Sequence, residues 1–161
     1  MIVEVVHPET GERYSVDIPS LSEEKLAAMK REYATDQQLK AHLDKLPLSA
    51  EVKAILHKIA KFSIEIGKTI IAIGKRVIEI ALLVAKKFPN TTLGLIVGAI
   101  LTALLALIPF IGPALSSIIG TLATIYATTR GFIDDLRSSN PQIVEEINEA
   151  VSVFRPLGAT A

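Results

Sequence analysis

Residues 88–129, which include "LTALLALIPFIGPALSSIIG", run for 42 positions without one Asp, Glu, Lys or Arg. That run constrains the fold most, because a helix exposed to water normally carries a polar stripe along one side. Two apolar arms meet within it at "PFIGP", where Pro109, Gly112 and Pro113 predict a turn. Residues 91–108 read as the first helical arm and 114–129 as the second. An arm of 18 residues spans roughly 27 Å as a helix, close to the roughly 30 Å of a bilayer's hydrocarbon core. Small residues recur at four-residue steps in both arms. Gly94, Gly98, Thr102 and Ala106 form one row, and Ser116, Gly120, Thr124 and Thr128 the other. Such rows let membrane helices pack closely. In water a mid-helix glycine costs roughly 1 kcal/mol against Ala, which close packing of the two arms would offset. Two readings follow: a hairpin that enters a bilayer, crossing it or dipping in, or the buried centre of a soluble bundle.

Charge is distributed unevenly around that run, although the chain of 161 residues is neutral overall. Residues 1–51 hold ten acids and six bases, 52–87 hold eight bases and two acids, and 130–161 hold three bases and five acids. Lys86 and Lys87 precede the hairpin, Arg130 and Arg137 follow it, and the tip carries no base. The positive-inside rule then predicts both ends on the cytoplasmic face, with a bacterial inner membrane as the expected location. The amino terminus has no secretory signal pattern. Half of the residues are hydrophobic but only 5% are aromatic, and Cys and Trp are absent, so disulfides and thiolate metal sites are excluded.

The pattern divides the chain into four segments: 1–48, 49–88, 89–131 and 132–161. In the first, "IVEVV" and "RYSVDI" flank "HPETGE" and predict a β-hairpin, with Val3, Val5, Tyr14, Val16 and Ile18 on one face. A lone hairpin is marginal, so it should pack on a helix or pair with another copy. "SLSE" predicts a capping box of Ser20 with Glu23, opening a polar helix over 21–34. Thr35 caps a second helix that Pro47 stops, and Ser49 caps the next. In the last segment, "FIDDLR" predicts a short helix. Asn140 and Pro141 open a final one with Ile143, Val144, Ile147, Val151 and Phe154 on its apolar face, ended by Pro156.

Residues 50–88 contain no Pro and predict one long amphipathic helix. Lys58, Lys61, Glu65, Lys68, Lys75, Arg76, Glu79, Lys86 and Lys87 form its narrow, mostly basic stripe. The stripe could line a pore in a ring of copies, favouring anions, or lie against anionic headgroups. It could also be a solvated face held by pairs such as Lys61 with Glu65 and Lys75 with Glu79.

Chemistry-bearing constellations are scarce. "GKT" at 67–69 lacks the earlier glycine of a phosphate loop, since position 62 is Phe62, and it reads as mid-helix. His7, His42 and His57 lack ligand spacing. The adjacent acids Asp134 with Asp135 and Glu145 with Glu146 point about 100° apart on a helix. No catalytic residue, metal, cofactor or small-molecule substrate is expected, and nucleic acid is not expected as a partner.

The segment "TTLGLIVGAILTALLALIPFIGPALSSIIGTLATIYATT", with the basic amphipathic stretch before it, resembles the uncharged hairpin of colicin pore-forming domains, and equally phage holins. The resemblance implies a mainly α, membrane-inserting toxin or channel protein that hides its hairpin in a bundle before use. A colicin pore domain has more helices than the five or six available here. Too few to shield the hairpin alone implies a homo-oligomer or permanent residence in a membrane. The expectation is therefore a mainly α helical hairpin or bundle with a small amino-terminal β-hairpin, acting on a lipid bilayer as a homo-oligomer that permeabilises it. A non-conducting membrane scaffold and a soluble helical interaction module are the alternatives.

Overall fold

The computed structural model describes residues 1–30, 35–126 and 130–158. Alternating β-branched residues build strands β1 (Ile2–Val6) and β2 (Arg13–Asp17), paired antiparallel with Val3 opposite Val16 and Val5 opposite Tyr14. Their turn closes where the His7 N–H donates to the Glu12 carbonyl at 2.8 Å. This hairpin finds its partner within the chain. Strand β1 also pairs with β3 (Ser63–Ile66), and β3 with β4 (Thr69–Ile71), in the antiparallel order β2-β1-β3-β4. One face of the sheet buries Val3, Val5, Ile64, Ile66 and Ile71.

That second hairpin corrects the long helix expected over residues 50–88. Helix α3 (Ala50–Ala60) stops at Lys61, β3 and β4 follow, and α4 (Ile73–Lys87) begins after them. Ile66 pairs with Thr69, leaving Gly67 and Lys68 as a two-residue turn, and Gly67 has φ +61°. A helix has no place for that backbone, whereas glycine adopts it without a steric penalty and tight hairpin turns require it. "SIEIGKTII" therefore follows period two, and "GKT" is the hairpin turn with the start of β4.

Side-chain caps open several of the remaining helices. Helix α1 (Glu23–Met29) is capped by Ser22, whose hydroxyl accepts from the Lys25 N–H, and not by Ser20. Residues 31–34 of the expected polar helix lie outside the described residues. Helix α2 (Asp36–Asp44) starts in a reciprocal capping box between Thr35 and Gln38. Ser49 caps α3. Helix α5 (Leu93–Leu107), a 3-10 turn at Pro109–Ile111 and α6 (Gly112–Tyr126) form the uncharged hairpin. Helices α7 (Phe132–Ser139) and α8 (Pro141–Val151) follow, the latter capped by Asn140. A 3-10 turn and the single turn α9 (Arg155–Gly158) take the chain past Pro156, which does not end it.

The architecture is mainly helical, with the small sheet built from its amino-terminal half. Helix α5 is central and packs against α4, α6, α7 and α8. One contiguous apolar cluster runs from the sheet through α5 to Phe154 and Leu157, and no polar or charged residue is buried among the described residues. The chain thus shields the first arm by itself, against the expectation that its helices are too few, while the second arm keeps one side open.

Candidate functional site

The two arms of the hairpin differ in their surroundings. Along α5, Ile96, Val97, Ala99, Ile100, Leu101 and Leu104 are all 0% exposed. Helix α6 buries Ala114, Leu115, Ile118 and Leu122 against the bundle and exposes Pro113, Ser116, Ser117, Gly120, Thr121 and Thr124. The 18 residues of Pro109–Tyr126 are long and apolar enough to cross a membrane, and only 28% of them are buried. On the open face, the Thr121 hydroxyl donates to the Ser117 carbonyl at 2.9 Å and the Thr124 hydroxyl to the Gly120 carbonyl at 3.0 Å. Those bonds satisfy the hydroxyl protons within the helix, so that face asks little of the solvent.

The two small-residue rows do not meet, which corrects their expected packing. Gly94 and Gly98 are buried, Thr102 is half-buried and Ala106 is exposed, while Ser116, Gly120 and Thr124 face outward. Thr128 lies outside the described residues. The buried glycines accommodate aromatic rings instead. A Cβ on Gly94 would lie 2.0 Å from the Tyr126 ring, and one on Gly98 would lie 2.4 Å from the Phe132 ring. Tyr126 at the end of α6 and Phe132 at the start of α7 therefore both lie against the amino-terminal half of α5. A Cβ on Gly120 would meet nothing within 4 Å.

The tip is held by the sheet. Pro109 opens the 3-10 turn, and the Gly112 N–H donates back to the Pro109 carbonyl. Pro113 sits in the first turn of α6, where proline costs no helix hydrogen bond. The Tyr14 hydroxyl on β2 donates to the Phe110 carbonyl at 2.8 Å. Burial pushes the Tyr14 phenol above its ordinary range, and a backbone hydrogen bond at Ala114 opposes this in smaller measure. In the β1–β2 turn, Glu9 accepts from the Ser117 hydroxyl at 2.5 Å and lies 3.8 Å from the Lys58 ammonium. The amino-terminal hairpin thus clasps the tip and first turns of α6. The alternation puts Tyr14 on one face with Val3 and Val5 but does not reveal this clasp, since no local signal links positions 14 and 110.

The basic stripe is dispersed over several elements. Lys58 is in α3, Lys61 is its cap, Glu65 is on β3, Lys68 is in the hairpin turn, and the others are on α4. Most of their partners lie on other elements, Arg76 with Glu79 being a pair within α4. Glu65 bonds Arg13, which also reaches Glu4. Lys75 pairs with Asp36 at 2.6 Å, Arg76 with Glu79 at 3.3 Å, and Lys87 with Glu146 at 3.2 Å. The hydrogen bond to Glu65 raises the Arg13 pKa further. No single helix presents these residues as one wall.

The histidines have local roles. His7 Nδ1 accepts from the Glu9 N–H at 3.1 Å, and His57 Nε2 lies 3.4 Å from Asp44. Among the described residues no cluster of three or more His, Cys, Asp or Glu could hold a metal ion. No protein-family model, curated protein or solved structure matches the chain.

Proposed function

We propose that this chain is a membrane-inserting protein that carries a charge-free hairpin in a water-compatible bundle and delivers it to a bilayer. The observation that carries the reading is Pro109–Tyr126, the tip turn with α6, an uncharged stretch of 18 residues, long enough to span a membrane and only 28% buried. Its own open-face side chains carry no charge, its threonine hydroxyls already bond within the helix, and the Glu9 carboxylate that meets Ser117 has to leave on insertion. Tyr126 packs on Gly94, so both ends of the hairpin lie together, next in sequence to Lys86 and Lys87 on one side and Arg130 on the other. That arrangement suits a hairpin that enters tip first and leaves its basic base on the near side. In the membrane, homo-oligomers of the chain permeabilise the bilayer, as the colicin-like and holin-like pattern implies.

A non-conducting anchor is the second reading, favoured by the dispersal of the basic stripe over α3, the second β-hairpin and α4. Flotation with vesicles and release of an entrapped dye separate the two. Flotation with release supports permeabilisation, and flotation alone supports the anchor. A chain that neither floats nor releases dye at any lipid composition defeats both. The variant Ser116→Asp sharpens the test, because Ser116 is exposed and near the middle of the candidate span. It should fold as wild type yet insert about a hundredfold less, since an aspartate at a helix centre costs about 2.5–3.5 kcal/mol in a membrane.

A further inference from the structure

A second feature lies at the base of the hairpin. A groove of about 530 Å³ runs between the 46–48 loop, the carboxy-terminal half of α4 and the first residue of α5. Leu46, Leu48, Leu82, Leu83 and Leu93 line it, with the exposed His42 and Lys86 among its few polar members. No acidic side chain lines it among the described residues. Concavity, apolar walls and this volume are the usual attributes of a ligand site. Leu83 is 58% exposed at the groove, although the rest of the α4 apolar face is largely covered. Lys86, unlike Lys87, makes no ion pair among the described residues.

We infer that this groove takes one acyl chain of an anionic phospholipid from the bilayer, with Lys86 against the headgroup phosphate. The walls supply the surface for the chain, and the cationic edge without acids supplies the charge complement. A second copy fits less well. Two-fold pairing over this groove would set the same acid-free lining against itself, so Lys86 would gain no counter-charge. Because Leu93 opens α5, a lipid held here places the base of the hairpin at the membrane surface. The inference rests on the membrane reading above and names the lipid it engages.

The test uses the whole chain with vesicles of phosphatidylcholine, with and without phosphatidylglycerol, and with phosphatidylglycerol bearing a photoreactive acyl chain. Wild type should float with the anionic vesicles and cross-link within residues 42–48 and 82–93. Lys86→Glu should weaken binding about tenfold or more, because each basic group near an anionic surface contributes measurably to attachment. Leu83→Asp should remove the cross-link, and both positions are exposed, so the fold should survive. Wild-type binding and cross-links in both variants would overturn the inference while leaving the hairpin reading intact. Cross-links at the groove without dye release or hairpin insertion would support the groove and defeat the hairpin reading. A lipid-free dimer that Leu83→Asp dissociates would overturn it in favour of a second copy.

Discussion

Helices α5 and α6 make an internal comparison. Both have 15 residues, neither carries a charge, and the sequence alone reads them as equivalent arms. Yet α5 is enclosed by four other helices, while α6 leaves a continuous side uncovered. The difference lies in what each arm places at its outward positions. Around α5 nearly every direction offers Ile, Val, Leu or Ala, so burial on all sides returns free energy at about 25 cal/mol per Å². Helix α6 keeps its large aliphatics to one side and puts Ser, Gly and Thr on the other, where burial returns little. Absence of charge thus permits a helix to be buried, and side-chain size around the helix decides how far it is.

Truncation should break that symmetry most visibly. Leu104→Ala in α5 removes a fully buried side chain and should destabilise by about 2–5 kcal/mol, whereas Thr124→Ala on the open face of α6 should stay within about 0.5 kcal/mol. Urea denaturation reads both, and equal costs would mean that α5 is not the core. The glycines give a smaller but opposed pair. Gly98→Ala drives a methyl into the Phe132 ring and should cost about 1–3 kcal/mol, while Gly120→Ala meets open space and should stabilise by about 1 kcal/mol. If both substitutions stabilise, the ring does not occupy the notch in α5.

The clasp supplies the smallest effect. Tyr14→Phe removes the bond to Phe110 and should cost about 0.5–1.5 kcal/mol near neutral pH. Burial raises the folded-state pKa of Tyr14, so the fold favours the neutral phenol. That contribution is complete below the unfolded value of about 10 and is lost as pH rises through the raised folded value. Stability measured from pH 8 to 11 should therefore converge between wild type and Tyr14→Phe. Parallel curves would assign the alkaline loss elsewhere.

Much of this architecture is legible before any coordinates. The alternation in "IVEVV", the Thr35 and Ser49 caps, the Asn140 and Pro141 start and the turn at Pro109 each depend on residues within a few positions of one another. Local chemistry settles such features, so one chain suffices to read them. The stretch "SIEIGKTII" shows where reading slips. Its Ile residues satisfy both a helical and a strand pattern, and the two-residue glycine turn was the signal that separated them. Residues 50–60 and 73–87 are helical as expected, and the strand hairpin of residues 63–71 between them overturns the single long stripe.

Sequence alone determined that residues 88–129 could lie in an apolar surrounding and that the turn falls at Pro109, because both depend on the residues themselves. Tertiary structure decided which surrounding each arm receives. It set aromatic rings into Gly94 and Gly98, turned Ser116, Gly120 and Thr124 outward, and brought Tyr14 to the tip. Those outcomes depend on contacts between residues tens of positions apart, where packing volume and the direction of each helix face decide. No local period in the chain carries that information.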